Sequence, residues 1–113
     1  MKPAKYTGSL HTDPRVPRAP GIERVTLTYD KDLMMCWFYL AKGSRLEAHT
    51  HPQIQNGIVM KGKIRFTKGD DKVLNLQAGD AYLFAANEAH GSVALEDTEL
   101  LECFVPSRDD YKD

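Results

Sequence analysis

Turn-forming residues divide this chain into short runs, and this feature limits the possible folds more than any other. From residue 22 onward, pairs rich in Gly, Asp and Lys interrupt the apolar runs at spacings of ~8–12 residues. Residues 24–29 alternate apolar and polar side chains, a period of two that is typical of a half-buried strand. No segment keeps a helical period over about eleven residues. The sequence therefore predicts an all-β fold, either a sandwich or a barrel.

Length and proline content indicate one domain that follows an extended arm. The chain has 113 residues, which fits a single domain at the usual ~150 residues per domain. Residues 1–21 contain four prolines, and proline cannot donate a backbone hydrogen bond. We expect residues 1–21 to form an arm that lies on a surface or reaches a neighbouring subunit. Residues 22–113 are expected to form the barrel domain.

Charge and hydropathy exclude several classes of function. Lys and Arg number 15 against 16 Asp and Glu, which leaves no positive excess for nucleic acid. The longest apolar run, residues 33–41, is about half of the ~18 residues that a membrane helix needs. Residues 1–9 contain no apolar segment of the kind found in secretory signals. We therefore expect a cytoplasmic protein without a nucleic-acid or membrane partner.

The two cysteines bear on disulfide formation, and the longest apolar run bears on the oligomeric state. Cys36 and Cys103 lie in apolar β-like runs, and we expect both to be buried thiols and not a disulfide. Residues 33–41 are apolar on both faces, which is typical of a central strand or one covered on both sides. Since a chain this small buries only ~60–70% of its unfolded surface, we expect a second copy to cover one face. The prediction is a homodimer.

Three of the four histidines are candidate metal ligands. His49 and His51 are two residues apart, so in an extended chain they project to the same side. A third imidazole, from His90 on a facing strand, would complete a set of converging nitrogen donors for a divalent ion. The alternative is that the first two histidines are an exposed polar strand end. His11, in the arm, is interpreted as a solvated loop residue.

The spacing Gly43-x5-His49-x-His51-x3-Gln55-x6-Gly62, followed by Gly79-x10-His90, resembles the two sequence motifs of the cupin superfamily. The resemblance implies a small double-stranded β-helix, or jelly-roll, barrel over residues ~22–108. It also implies one divalent metal ion held by His49, His51, Gln55 and His90. Imidazole ligands suit Zn, Ni, Fe, Mn or Cu. The chain departs from the superfamily pattern at four positions, which are Gln55 for Glu, Ala85 for Pro, Asn87 for Gly and Ala94 for Asn.

The last predicted strand, residues 98–105, leaves the position of one carboxylate open. Glu102 shares a face with apolar neighbours, so it could line the barrel near the metal, where burial and the cation would shift its pKa in opposite directions. The other face is wholly apolar, and periodicity slightly favours that face as the core. Its members are Leu101, Cys103 and Val105.

The ending Glu102-x-Phe104-x-Pro106-x-Arg108, together with the histidine motif, is similar to the small pectin-degradation cupins. This resemblance implies ring opening of 4,5-unsaturated galacturonate to the linear 5-keto-4-deoxyuronate. It implies catalytic roles for Glu102 and Arg108, with Phe104 and Arg108 binding a small anionic sugar. That family usually has Asp where this chain has Glu102.

The sequence is also compatible with other functions. Three histidines with open coordination positions also suit an oxygen-dependent dioxygenase, and other small cupins are lyases. A non-catalytic module that binds a sugar or another anion could use the same residues. The fold alone does not distinguish it from an enzyme.

Overall fold

The computed structural model describes residues 2–113 and is all-β. Ten strands occur in this part of the chain: β1 (Val16–Ala19), β2 (Ile22–Tyr29), β3 (Met34–Leu40), β4 (Arg45–His49), β5 (Ile54–Lys61), β6 (Lys63–Lys68), β7 (Lys72–Gln77), β8 (Ala81–Phe84), β9 (His90–Ala94) and β10 (Thr98–Val105). A 3₁₀ turn, Asp109–Tyr111, follows the last strand. Within residues 2–113, no helix has the length and apolar character that a membrane crossing requires. The all-β prediction is confirmed.

The strands form two antiparallel sheets with the core between them. One sheet has the order β1-β2-β3-β10-β5-β8 and the other has the order β4-β9-β6-β7. Phe66 of β6 meets Tyr82 and Phe84 of β8, with ring centroids 4.6 and 5.3 Å away, so aromatic rings from both sheets pack together. This arrangement is the double-stranded β-helix expected of a jelly roll.

Strand β3 is apolar on both faces because both faces are covered. It lies between β2 and β10, and its inner side chains Met34 and Cys36 are fully buried. On the outer face Trp37 is also buried, and the guanidinium of Arg15 lies 4.8 Å from its ring centroid. The prediction of a strand covered on both sides is therefore correct, and the chain's own arm covers Trp37.

The arm packs against its own chain along strand β2. Lys5 and Tyr29 exchange two backbone hydrogen bonds of 2.8 and 2.9 Å, and β1 pairs with β2 in antiparallel register. Proline content did not indicate a strand here, but Pro17 is tolerated because β1 is an edge strand that needs donors on one side only. The arm thereby becomes the sixth strand of the larger sheet.

Both cysteines are free thiols. Cys36 lies opposite Glu102 in the β3–β10 pair, whereas Cys103 lies opposite Met35. These two positions face opposite sides of the sheet, because side chains alternate along a strand.

Candidate metal centre

Three imidazoles meet at one end of the two sheets. His49 ends β4 and His90 begins β9, and the two residues are direct partners in the strand pairing. Their ring centroids are 4.5 Å apart. His51 lies just beyond the end of β4, with its ring 4.9 Å from that of His90. One nitrogen from each of the three rings lies within 4.8 Å of the others.

Backbone carbonyls fix which ring nitrogen is free to bind. Each Nδ1 lies within hydrogen-bond distance of a carbonyl oxygen, and because a carbonyl can only accept, Nδ1 must carry the proton. The acceptors are the carbonyls of Glu47, Gln53 and Glu88, at 2.9, 3.1 and 2.9 Å. In a neutral imidazole the proton on Nδ1 leaves Nε2 with a lone pair. Metal-binding histidines are commonly oriented in this way.

Two of these Nε2 atoms have surroundings that a cation would satisfy. The Nε2 of His90 is buried and has no hydrogen-bond partner, a state that ordinarily costs about 1–3 kcal/mol. The Nε2 of His51 lies 2.9 Å from Oε1 of Gln55, so two acceptor atoms face each other. A positive ion between acceptors removes both penalties. The residues present therefore fit a metal ion.

Burial keeps the three imidazoles neutral. It lowers the pKa of His49, His51 and His90 below the ordinary value of 6.5, and that of His90 to about 4. Neutral imidazoles are the form that binds a metal.

Aromatic packing and one unusual turn hold the rings in place. The ring of His90 stacks on Phe84 at 4.5 Å with an interplanar angle of 5°, and His51 meets the edge of Phe104 at 5.9 Å. Asn87 has a positive φ of 61°, and its N–H donates to the carbonyl of His51 over 2.8 Å. Asn is one of the few residues besides Gly that adopt this conformation readily. The departure from Gly at position 87 thus keeps the turn geometry.

Glu102 points into the space between the sheets. It is 4% exposed, and its Oε2 accepts 2.6 Å hydrogen bonds from Nε2 of Gln55 and from the hydroxyl of Tyr82. Burial raises the pKa of Glu102 to about 6. Its Oε1 receives no hydrogen bond from the described residues, and Glu102 is one of the residues that line the cavity. On the opposite face of β10, Leu101 and Cys103 are only half-buried.

A narrow cavity with a volume of about 40 Å³ lies beside the histidine cluster. Phe104 and Arg108 line it together with Glu102, Gln55 and two of the histidines. The guanidinium of Arg108 lies 3.9 Å from the ring centroid of Tyr111, and its Nε and Nη2 donate to the carboxylate of Asp110 over 3.2 and 2.8 Å. Three of the four predicted ligands, the predicted acid–base group and both predicted substrate contacts therefore line one space, His51 contacts two of those ligands, and His11 lies exposed in the arm.

Three residues that line this space or contact Glu102 were given no role from the sequence. Tyr82 contacts Glu102 from β8, Tyr111 follows β10 in the 3₁₀ turn, and Arg18 reaches the cavity from the arm. Tyr82 lies between Gly79 and His90 of the second motif, Tyr111 follows Arg108 at the end of the last motif, and Arg18 lies in the arm, but no spacing pattern assigned a role to any of the three.

Comparison with known proteins places this chain in a family. The sequence model of the cupin domain matches residues 36–105, which is more than half of the chain. The chain belongs to the cupin family. This cupin is 36% identical over 94 residues to the pectin degradation protein KdgF of Dickeya dadantii (strain 3937), a match that covers 80% of this chain and 84% of that protein.

Solved structures agree with the assignment. The structure of KdgF from a Halomonas species has a TM-score of 0.86 and 29% identity, and covers 93% of this cupin and 96% of that chain. An RmlC-like cupin from Shewanella frigidimarina NCIMB 400 has a TM-score of 0.91 at 23% identity, with 98% and 99% of the two chains covered. At that identity the second likeness concerns the fold alone.

Proposed function

We propose that this cupin is a metal-dependent isomerase that opens the ring of 4,5-unsaturated galacturonate to give 5-keto-4-deoxyuronate. The likeness to a KdgF protein described as a pectin degradation protein supports the substrate class. The observation that carries the proposal is the side chain of Gln55. Its Oε1 faces His51 and its Nε2 binds the carboxylate of Glu102, which couples the acid–base group to the metal centre.

His49, His51, Gln55 and His90 would hold one divalent ion. When bound, such an ion supplies a Lewis acid for substrate oxygens. Gln55 is uncharged, so the ligand set leaves the ion with its full double charge, which a glutamate ligand would reduce. The identity of the ion, among Zn, Ni, Fe, Mn and Cu, follows from supply as well as from ligand type.

The proposed reaction needs only proton transfers. The C1 hydroxyl of the cyclic substrate loses its proton as the bond between C1 and the ring oxygen breaks, which makes C1 a carbonyl. The ring oxygen keeps the electron pair of that bond, and C4 takes up a proton as C5 becomes a ketone. One proton leaves and one arrives, so the isomerisation balances without a co-reactant.

Glu102 is the proposed residue for these transfers. Its Oε2 is held by Gln55 and Tyr82, Oε1 accepts no hydrogen bond from the described residues, and the side chain lines the cavity. An acid–base group needs one atom within reach of the reacting proton and a fixed orientation, and this arrangement supplies both.

Phe104 and Arg108 are the proposed substrate contacts. Phe104 is fully buried beside His51 and offers its ring to the sugar face. Arg108 has its Nε and Nη2 engaged by Asp110, which leaves Nη1 for a substrate oxygen.

The direct test is the absorbance of the conjugated double bond of 4,5-unsaturated galacturonate, followed with metal-loaded protein and with chelated protein. We expect the absorbance to fall with loaded protein, and chelation to abolish the effect. Oxygen consumption would instead indicate a dioxygenase. Metal-dependent binding without turnover would indicate a sugar-binding module, and either result would refute the proposal.

A further inference from the structure

Two guanidinium groups line the cavity, and among the described residues only one of them forms an ion pair within 4.0 Å. Arg108 pairs with Asp110 at 2.8 Å. Arg18 is half-buried and lines the same cavity, yet no described carboxylate lies within 4.0 Å of it. Its one side-chain hydrogen bond among the described residues runs from Nε to the hydroxyl of Tyr111, over 2.8 Å.

Removing a cation from water without a counter-ion is unfavourable. The two Nη groups of Arg18 keep their N–H donors unused, in the planar fork that matches a carboxylate in two parallel hydrogen bonds. The chain therefore presents a half-buried positive charge that forms no ion pair within residues 2–113, because the nearby carboxylate of Asp110, whose pKa this charge helps to lower, is bound to Arg108. A carboxylate on a bound ligand would supply the missing charge.

The arm brings this charge to the metal centre. Arg18 belongs to β1, and the cavity that it lines also contains His49 and His90. An anion held by Arg18 would therefore occupy the cavity that these two histidines line.

We propose that Arg18 binds the substrate carboxylate, and that Tyr111 is a positioning residue whose hydroxyl orients the guanidinium of Arg18 toward the cavity. The identity of the substrate as a uronate rests on the proposed function. Arg108, already neutralised by Asp110, then contacts uncharged oxygens of the sugar. The arm completes the binding site, and the carboxylate distinguishes a uronate from a neutral sugar.

Kinetics of Arg18→Gln against a matched control test this assignment. Arg15→Gln is the control, because Arg15 lies in the same arm but is exposed and pairs with Glu23. Loss of a charge-assisted hydrogen bond of about 1.5–3 kcal/mol corresponds to a rise in KM of roughly 10-fold to 100-fold in Arg18→Gln. We expect kcat and metal content to change little, and Arg18→Lys to recover part of the affinity. An unchanged KM would overturn the assignment.

The role of Tyr111 is tested by Tyr111→Phe, which keeps the ring and removes the hydroxyl. We expect a smaller rise in KM than in Arg18→Gln. The double variant should be no weaker than Arg18→Gln alone, since both changes remove one interaction. Additive losses would show that Tyr111 acts independently of Arg18.

A binding experiment separates this inference from the proposed reaction. Galacturonate and its methyl ester are titrated into metal-loaded wild type, Arg18→Gln and Arg15→Gln by calorimetry, which requires no turnover. Preference for the acid in wild type and Arg15→Gln, and its loss in Arg18→Gln, supports this role of Arg18 even if the ring-opening assay fails. Equal binding of acid and ester by wild type, or acid preference retained in Arg18→Gln, overturns it.

Discussion

Gly57 lies directly opposite Glu102 in the pairing of β5 with β10, and the ring of Tyr82 occupies the space that a side chain at position 57 would fill. A Cβ on Gly57 would lie 2.6 Å from Cζ of Tyr82 and 2.7 Å from the carbonyl oxygen of Leu101. The missing side chain is therefore what lets the hydroxyl of Tyr82 reach Glu102. A glycine two residues from Gln55 on β5 thus controls the environment of the proposed acid–base group.

Gly57→Ala should displace Tyr82 from Glu102. We expect the free energy of unfolding to fall by about 1–3 kcal/mol, the usual cost of overpacking, and turnover to fall with it. Denaturant unfolding and the ring-opening assay measure the two effects. Asn56→Ala, at the exposed neighbouring position, is the control. If Gly57→Ala has the free energy of unfolding of the wild type, Tyr82 moves aside without cost and the prediction is wrong.

Glu102→Gln should lower turnover by ~10²-fold or more, the usual scale for a lost acid–base group. Its metal content and fold should be unchanged, because Gln retains the shape of the side chain. Glu99→Gln is the matched control: Glu99 lies on the same strand but accepts a hydrogen bond from Trp37 outside the cavity. An unchanged rate in Glu102→Gln would remove this residue from the mechanism.

His51→Ala should lose metal, since it removes one of the converging nitrogens. We expect affinity to fall at least about tenfold, because even changes to residues that support a ligand cost 10-fold to 100-fold. Elemental analysis after dialysis measures the loss. His11→Ala, a change in the exposed arm, should keep full occupancy, and equal occupancy in the two variants would refute the ligand set.

Acid should loosen the arm at its first turn. The amide of Ser9 and the ammonium of Lys5 hold the pKa of Asp13 below its ordinary value of 3.8. A lowered carboxyl pKa contributes stability that is complete above about pH 3.8 and is lost as the pH falls through the lower folded value. The amide resonance of Ser9 should shift in that acidic window in wild type and not in Asp13→Asn. A resonance that stays constant in wild type would contradict this.

The outer face of the larger sheet is the proposed dimer contact. Ile54 and Val105 are neighbours there in the strand pairing, and with Leu83 of β8 they are 45–57% exposed. We expect a homodimer by light scattering at micromolar concentration, and a monomer for Leu83→Glu. Val73→Glu, an equally exposed position on the smaller sheet, should leave the dimer intact. A monomeric wild type would refute the proposal.

Turn spacing and period-two alternation were enough to predict most strands, because both depend on neighbours along the chain. The histidine motif was likewise enough to name the imidazoles that converge, since the two histidines of one segment and the one of another carry recognisable spacings. Strand β1 was missed because proline lacks the backbone N–H that a central strand needs. An edge strand tolerates proline, but the sequence did not show that this segment would lie at an edge.

The sequence by itself indicated most of the strands from β2 onward and which residues could bind a metal. It left open which face of β10 is buried, and the wholly apolar face of Leu101 and Val105 turned out to be the outer one. Only the tertiary structure decided this, because Gln55 and Tyr82 supply the hydrogen bonds that make burial of Glu102 tolerable. The role of Arg18 also depended on the tertiary structure. Only its distances from the described carboxylates of the chain show that it forms no ion pair with them.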